Sequence, residues 1–230
     1  MTTKVTTKRM NGFQKWKTML LMLLLLPVGG TLMAQQGTPI NSGNMGNNGT
    51  IVIDSDGEYY LSENITWSSQ PTNGIGIQIN ADVTLDLNGC VLDGKYNVQH
   101  VIQVTKGHTL TLVDSNPNTT HEGSLTNDLW VYGSGNNNPI SGGVITGGKA
   151  GSPGGGGVHL YGGNLIMENG TIAGNCTTST SDGSGVRIQS DSNHPFFEMH
   201  GGKIYGNRAY QSGGAVYIAT TTASSFVMLL

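Results

Sequence analysis

The stretch GVHLYGGNLIMENGTIAGN (157–175) decides the fold, because its order of parts returns twice further along the chain. It comes back as GVRI (185–188) with FEMHGGKIYGN (197–207), and a third copy opens with GAVYI (214–218) and reaches FVM (226–228). The leading apolar residues Val158, Val186 and Val216 are separated by 28 (186 − 158) and 30 (216 − 186) residues. Periods of this size mark a solenoid, in which each repeat covers its apolar side only against its neighbours. Inside each copy apolar and polar residues alternate, which is the period of a strand. The pairs Gly162 with Gly163 and Gly201 with Gly202 fall where the chain turns between strands.

Working back towards the start, IQI (77–79), VTLDL (83–87) and CVL (90–92) are three short strands separated by a few turn residues, one triangular coil of a parallel β-helix. Alternation puts Val83, Leu85 and Leu87 on one side and Thr84 and Asp86 on the other. The next coil is assigned VIQV (101–104), TLTLV (109–113) and SLT (124–126), with Ile102, Val104, Leu110 and Leu112 inward. TIVI (50–53) and YYL (59–61) cap the first coil. From 127 to 157 the pattern loosens, only GGVITGG (142–148) resembles a strand, and an irregular coil with a protruding loop is expected. The later inward pairs are Val158 and Leu160, Leu165 and Met167, Val186 and Ile188, Phe197 and Met199, Val216 and Ile218, and Phe226 and Met228. The expected fold is all-β, a right-handed parallel β-helix solenoid over residues 50–230 with three short strands per coil. Asn175 and Asn207, 32 apart (207 − 175), each close a strand after glycine. They are assigned a structural role, since asparagine tolerates the left-handed conformation and bonds across to the next coil. The last residues, FVMLL (226–230), carry neither turn nor polar cap, which predicts an uncapped end and a chain that is the amino-terminal part of a longer protein.

Residues 1–34 stand apart from this pattern. Lys4, Lys8, Arg9, Lys15 and Lys17 precede an apolar run (19–26) ended by Pro27, and Ala34 offers a cleavage site, the layout of a secretory signal peptide. Residues 35–49 are expected to be a polar linker rich in glycine and asparagine. Cleavage leaves 6 basic against 14 acidic residues, a net charge of −8 (6 − 14), and no membrane span. Such a surface repels phosphate backbones and excludes nucleic acid as a partner. Cys90 and Cys176 are placed three coils apart, roughly 14 Å at ~4.8 Å per coil, too far for a disulfide. Two free, partly buried thiols are expected.

GIGIQINADVTLDLNGCVLDG (74–94) resembles the first coils of right-handed parallel β-helix proteins of the pectin-lyase-like superfamily. The later glycine-pair and Gly-Asn elements are similar to repeats of bacterial surface adhesins, including chlamydial polymorphic outer-membrane proteins. The resemblance implies a secreted or surface location, on the bacterial cell surface or outer membrane. The chain departs from the chlamydial pattern in lacking its short Phe-x-x-Asn tetrapeptide and a membrane barrel.

The superfamily also implies carbohydrate lyases and hydrolases, whose chemistry needs clustered carboxylates or acids that bind calcium beside a base. Asp86 is the one acid projecting from a strand centre, and Asp93 and Asp114 fall at turns. Arg187 resembles the arginine of an Arg-Ile-Lys element, with Gln189 where the lysine would stand. No catalytic residue, metal site or cofactor is expected. The outward column of the first strand holds Gln78, Gln103, His159, Arg187 and Tyr217, a polar and aromatic face suited to sugars. His159, Arg187 and Tyr217 are the candidate ligand-binding residues. His194 and His200 belong to another face or a loop, which leaves His159 without a second histidine at metal-ligand spacing. The expected function is a non-catalytic, adhesin-like scaffold whose partner is carbohydrate or a host or cell-surface protein. The alternative is a polysaccharide lyase or glycoside hydrolase whose groove lies partly in coils beyond this chain.

Overall fold

In the computed structural model, residues 36–178, 180–189, 194–219 and 225–228 are described. The expected leader and the last two residues lie outside them. Three parallel sheets wind as a solenoid of about six turns. Sheet 1 stacks the strands Ile51–Ile53, Ile75–Ile79, His100–Val104, Val158–Tyr161, Val186–Gln189 and Val216–Ala219. Sheet 2 stacks Thr38–Ile40, Gly57–Leu61, Val83–Asp86, Thr109–Val113, Asn164–Met167, Phe196–Met199 and Ser225–Met228. Sheet 3 stacks Ile65–Thr66, Val91–Val98, Val144–Ala150, Thr171–Ala173 and Lys203–Tyr205.

The interior is a set of like-on-like ladders, as the alternation predicts. Val158 pairs with Val186 and Val186 with Val216, while Leu165 pairs with Phe197 and Phe197 with Phe226. The two phenylalanine rings stack with centroids 4.8 Å apart. Val158, Leu160, Leu165, Met167, Val186, Ile188 and Phe197 have no solvent exposure, and with the earlier windings they form one continuous apolar cluster. Met199, Val216 and Phe226 are only partly buried against that cluster, and Ile218 and Met228 are exposed.

The sequence reading needs correction in four places. Residues 38–40 are not linker: Thr38–Ile40 pairs in parallel with residues 59–61 and adds a strand to sheet 2. The third strand of the coil that begins at His100 is Val144–Ala150, which pairs with Val91–Val98 on one side and Thr171–Ala173 on the other. Residues 124–126, expected in that place, form instead an antiparallel hairpin with Leu129–Tyr132. The tip of that hairpin, Asn127 and Asp128, has φ of 51° and 63°, the paired left-handed conformation of a two-residue hairpin turn. The expected irregular coil with a protruding loop at 127–157 is therefore a sheet 3 strand, its pairing with Val91–Val98 shifted between Thr146 and Gly148, preceded by an insertion that carries the hairpin. The hairpin seats Trp130, fully buried, against Val91, Val144 and Ala173 in a second apolar cluster.

Asp114 holds the two ends of the insertion together. Its Oδ1 accepts from the Gly89 amide at 2.8 Å and its Oδ2 from the Gly143 amide at 2.8 Å. The third correction concerns the cysteines, which follow strands two windings apart, not three. At ~4.8 Å per winding that is still roughly 10 Å, and both thiols are free, Cys90 half-buried and Cys176 buried. The fourth concerns the asparagines: Gly174 and Gly206 take the left-handed conformation, with φ of 69° and 56°. Asn175 itself is turned inside, with no exposure.

Candidate functional site

The outward residues of sheet 1 form one ladder in register: Val52, Gln78, Gln103, His159, Arg187 and Tyr217. Stacking unites all five residues of the expected column. They do not share one environment, however. His159 is only 2% exposed, while Gln78, Gln103, Arg187 and Tyr217 are half-buried.

His159 is covered because the turn that enters its strand folds back over the sheet. A side chain at Gly155 would press on the Cβ atoms of His159 and Arg187, and one at Gly183 on those of Arg187 and Tyr217. Both glycines have positive φ, 88° and 70°, so only glycine suits this close approach. The Gly155 amide donates to the Gly183 carbonyl at 2.7 Å, and the Gly183 amide to the Ser212 carbonyl at 2.9 Å. The turns thus carry a ladder of their own beside the side-chain ladder.

Beneath this cover lies a histidine that the sequence reading did not single out. His100 Nδ1 donates to the Gly155 carbonyl at 2.8 Å, and its ring lies 4.5 Å from that of His159. His159 Nδ1 accepts from the Gln103 amide at 3.2 Å and its Nε2 donates to Gln189 Oε1 at 3.1 Å, the pattern of one neutral tautomer. Burial is the main cause of depressed basicity in both rings, to about 4 for His100 and about 3 for His159, where His100 is the second cause. Both are neutral at pH 7.

Beyond His159 the face opens again at Arg187. Its guanidinium carbon sits 5.3 Å from the centre of the Tyr217 ring, a cation–π stack, and its Nε is buried without a partner. Desolvation lowers its pKa. Tyr161, 44% exposed, lies on one flank with its ring tilted 57° to that of His159, and Gln189 pairs with Tyr161 in the register.

The acids weighed as candidate catalysts serve the backbone. Asp86 ends its strand at 7% exposure, and its Oδ1 accepts from the amides of Asn88 at 2.7 Å and Ser115 at 2.9 Å. Asp93 accepts from the Lys95 amide, and burial raises its pKa. His200 lies on the turn after the sheet 2 strand Phe196–Met199, between Glu168 at 3.0 Å and Glu198 at 3.4 Å, whereas His159 stands on sheet 1. Among the described residues, no group of three or more His, Cys, Asp or Glu side chains could hold a metal ion. No protein-family model, curated protein or solved structure matches the chain.

Proposed function

We propose that this chain is a secreted or surface-displayed scaffold that binds carbohydrate on cell surfaces through the outer face of sheet 1, without catalysis. The observation that carries the reading is the ladder that ends in Arg187 stacked on Tyr217, flanked by Gln189 and the exposed Tyr161. A sugar ring offers an apolar face to a tyrosine and hydroxyls to guanidinium and amide groups, so a flat parallel sheet bearing these groups suits it. A binding role is favoured over lyase or hydrolase chemistry because the ladder holds no carboxylate. Its histidine is sealed in and already bonded at both ring nitrogens. The likeness of the repeats to pectin-lyase-like β-helices and bacterial adhesins supports the same reading, as does the leader with its apolar run. Among the described residues no helix is long and apolar enough to cross a membrane.

Binding of the mature chain to an immobilised glycan panel tests this. At least one glycan should bind, and Tyr217→Ala and Arg187→Ala should each weaken it by about tenfold or more, the equivalent of about 1.4 kcal/mol. Failure to bind any glycan at millimolar concentration overturns the reading and leaves a spacer. Release of unsaturated ends from an acidic polysaccharide, abolished by Arg187→Ala, would replace it with the lyase alternative.

A further inference from the structure

Among the described residues asparagine precedes glycine at Asn48-Gly49, Asn73-Gly74, Asn88-Gly89 and Asn169-Gly170. Glycine has no Cβ to obstruct its own backbone nitrogen, so in each pair that nitrogen can in principle attack the side-chain carbonyl carbon of the asparagine before it. The fold decides which pair is free to react, because an amide bonded to a distant acceptor is held away from that carbon.

Three of the four glycine amides are so held. Gly49 donates to the Gly46 carbonyl at 2.8 Å, Gly74 to the Pro71 carbonyl at 2.9 Å and Gly89 to Asp114 Oδ1 at 2.8 Å. The asparagines of these pairs are tied as well. Asn48 Oδ1 accepts from the Thr50 amide at 3.1 Å, and Asn73 Oδ1 accepts from the Thr50 hydroxyl at 2.7 Å and the Ile75 amide at 3.0 Å. Asn88 Nδ2 donates to the Leu61 carbonyl at 3.0 Å.

The fourth pair is arranged differently. The Gly170 amide donates to Oδ1 of Asn169 itself at 2.9 Å, which holds the nitrogen beside the carbon that carries this oxygen. Such pre-positioning removes much of the entropic barrier to an intramolecular attack. The turn is fixed on both sides: the Glu168 amide donates to the Leu112 carbonyl and the Thr171 amide to the Gly143 carbonyl, both at 2.9 Å. Asn169 Nδ2, the nitrogen that would leave, makes one long bond of 3.4 Å to the Asp114 carbonyl. Asn169 is half-buried, so water reaches it.

We propose that Asn169 is a site of spontaneous covalent modification, at which the folded chain converts asparagine to isoaspartate or aspartate. The Gly170 nitrogen forms a bond to Asn169 Cγ, the Cγ–Nδ2 bond breaks, and Nδ2 leaves as ammonia with the proton that the amide gives up. Water then opens the cyclic imide at either carbonyl. Nothing is oxidised or reduced, and the net change is one amide and one water to one carboxylate and one ammonium. Isoaspartate lengthens the backbone between Met167 and Thr171, whose pairings with Met199 and Lys203 leave no slack, so conversion loosens this winding from the next.

The test incubates the mature chain at mildly alkaline pH, folded and in denaturant, until half of the denatured reference has converted. Peptide mass spectrometry follows each of the four sites, and an isoaspartyl methyltransferase labels isoaspartate. In the folded chain Asn169 should convert at least about tenfold faster than each of the other three, whereas in denaturant the four should be alike. Asn169→Gln should remove conversion at that site and leave the others unchanged. The converted fraction, separated by ion exchange, should unfold at a lower urea concentration than the unconverted chain. Equal conversion at the four sites of the folded chain, faster conversion at another site, or an Asn169 protected by folding would each overturn the proposal. An unchanged urea midpoint would overturn the loosening.

Discussion

Acidification from pH 7 to 4.5 should remove about 5 kcal/mol of folding stability through His100 and His159 alone. An unfolded histidine titrates near 6.5. Burial depresses His100 to about 4 and His159 to about 3 in the folded chain. Between those limits the unfolded chain takes up protons that the folded chain refuses, so stability is fully present above pH 6.5 and declines as the pH falls. The slope is about 1.4 kcal/mol per pH unit for each histidine. Arg187 works in the same direction, disfavouring a second positive charge beside either ring. Asp93 opposes it weakly: burial raises its carboxyl above the usual 3.8, so its protonation favours the folded state as the pH falls towards that range. Urea midpoints measured across this pH range check the expectation. His159→Gln should roughly halve the slope below pH 6.5, whatever it does to stability at pH 7. A midpoint that stays flat down to pH 5, or a slope unchanged in the variant, would contradict the buried neutral pair.

Asn175→Ala should destabilise the chain by about 3–5 kcal/mol, far more than the same change at Asn207. Asn175 Oδ1 accepts from the Gly148 amide at 2.9 Å, and its Nδ2 donates to the carbonyls of Ile145 and Ala173, both at 3.1 Å, and to Asn207 Oδ1 at 3.0 Å. One side chain thus ties its own winding to those on either side. Alanine there leaves a buried amide and buried carbonyls unpaired, at about 1–3 kcal/mol for each group that water cannot reach. Asn207 makes a similar set of bonds, accepting from the Asn175 amide at 3.0 Å and donating to the Ile172 carbonyl at 2.8 Å. It is half-exposed, so water replaces what alanine removes, and a loss of about 1–2 kcal/mol is expected. Thermal unfolding of the two variants side by side reads the difference. Equal, small losses would mean that the asparagine ladder carries little of the contact between windings.

The regular windings were legible because their physics is local and repeated. The steps from Val158 to Val186 to Val216 are the backbone pairing itself, and the inward alternation of Val83, Leu85 and Leu87 became a buried face. The insertion escaped because a hairpin strand and a solenoid strand have the same alternation. Residues 124–126 satisfied the pattern while their partners lay only three to seven residues further along, across an antiparallel turn. Two signals pointed to it: the adjacent Asn127 and Asp128, and the step of 56 from Ile102 to Val158 (158 − 102), twice the period of 28. The candidate column was found in correct register, but its burial was not. Alternation says which side chains point outward and nothing about which of them a returning turn will cover. The glycines that permit the cover, Gly155, Gly183 and Gly213, repeat at 28 (183 − 155) and 30 (213 − 183), the same steps as the valines they precede. Equal steps in glycine and valine mark a second ladder stacked beside the first. His100 carried no such signal, since it stands at the end of its strand, outside the outward alternation.

The stacking of windings on sheet 1 brings Val52 and Tyr217, 165 residues apart in the chain (217 − 52), into one column five pairings long. Spin labels at these two positions, with Cys90 and Cys176 replaced by alanine, give their separation by pulsed electron resonance. Five steps of ~4.8 Å predict a single narrow distribution centred near ~24 Å between backbones. A broad distribution, or a mean beyond about 40 Å, would contradict the parallel stack on which the ladder and the buried histidine pair both depend.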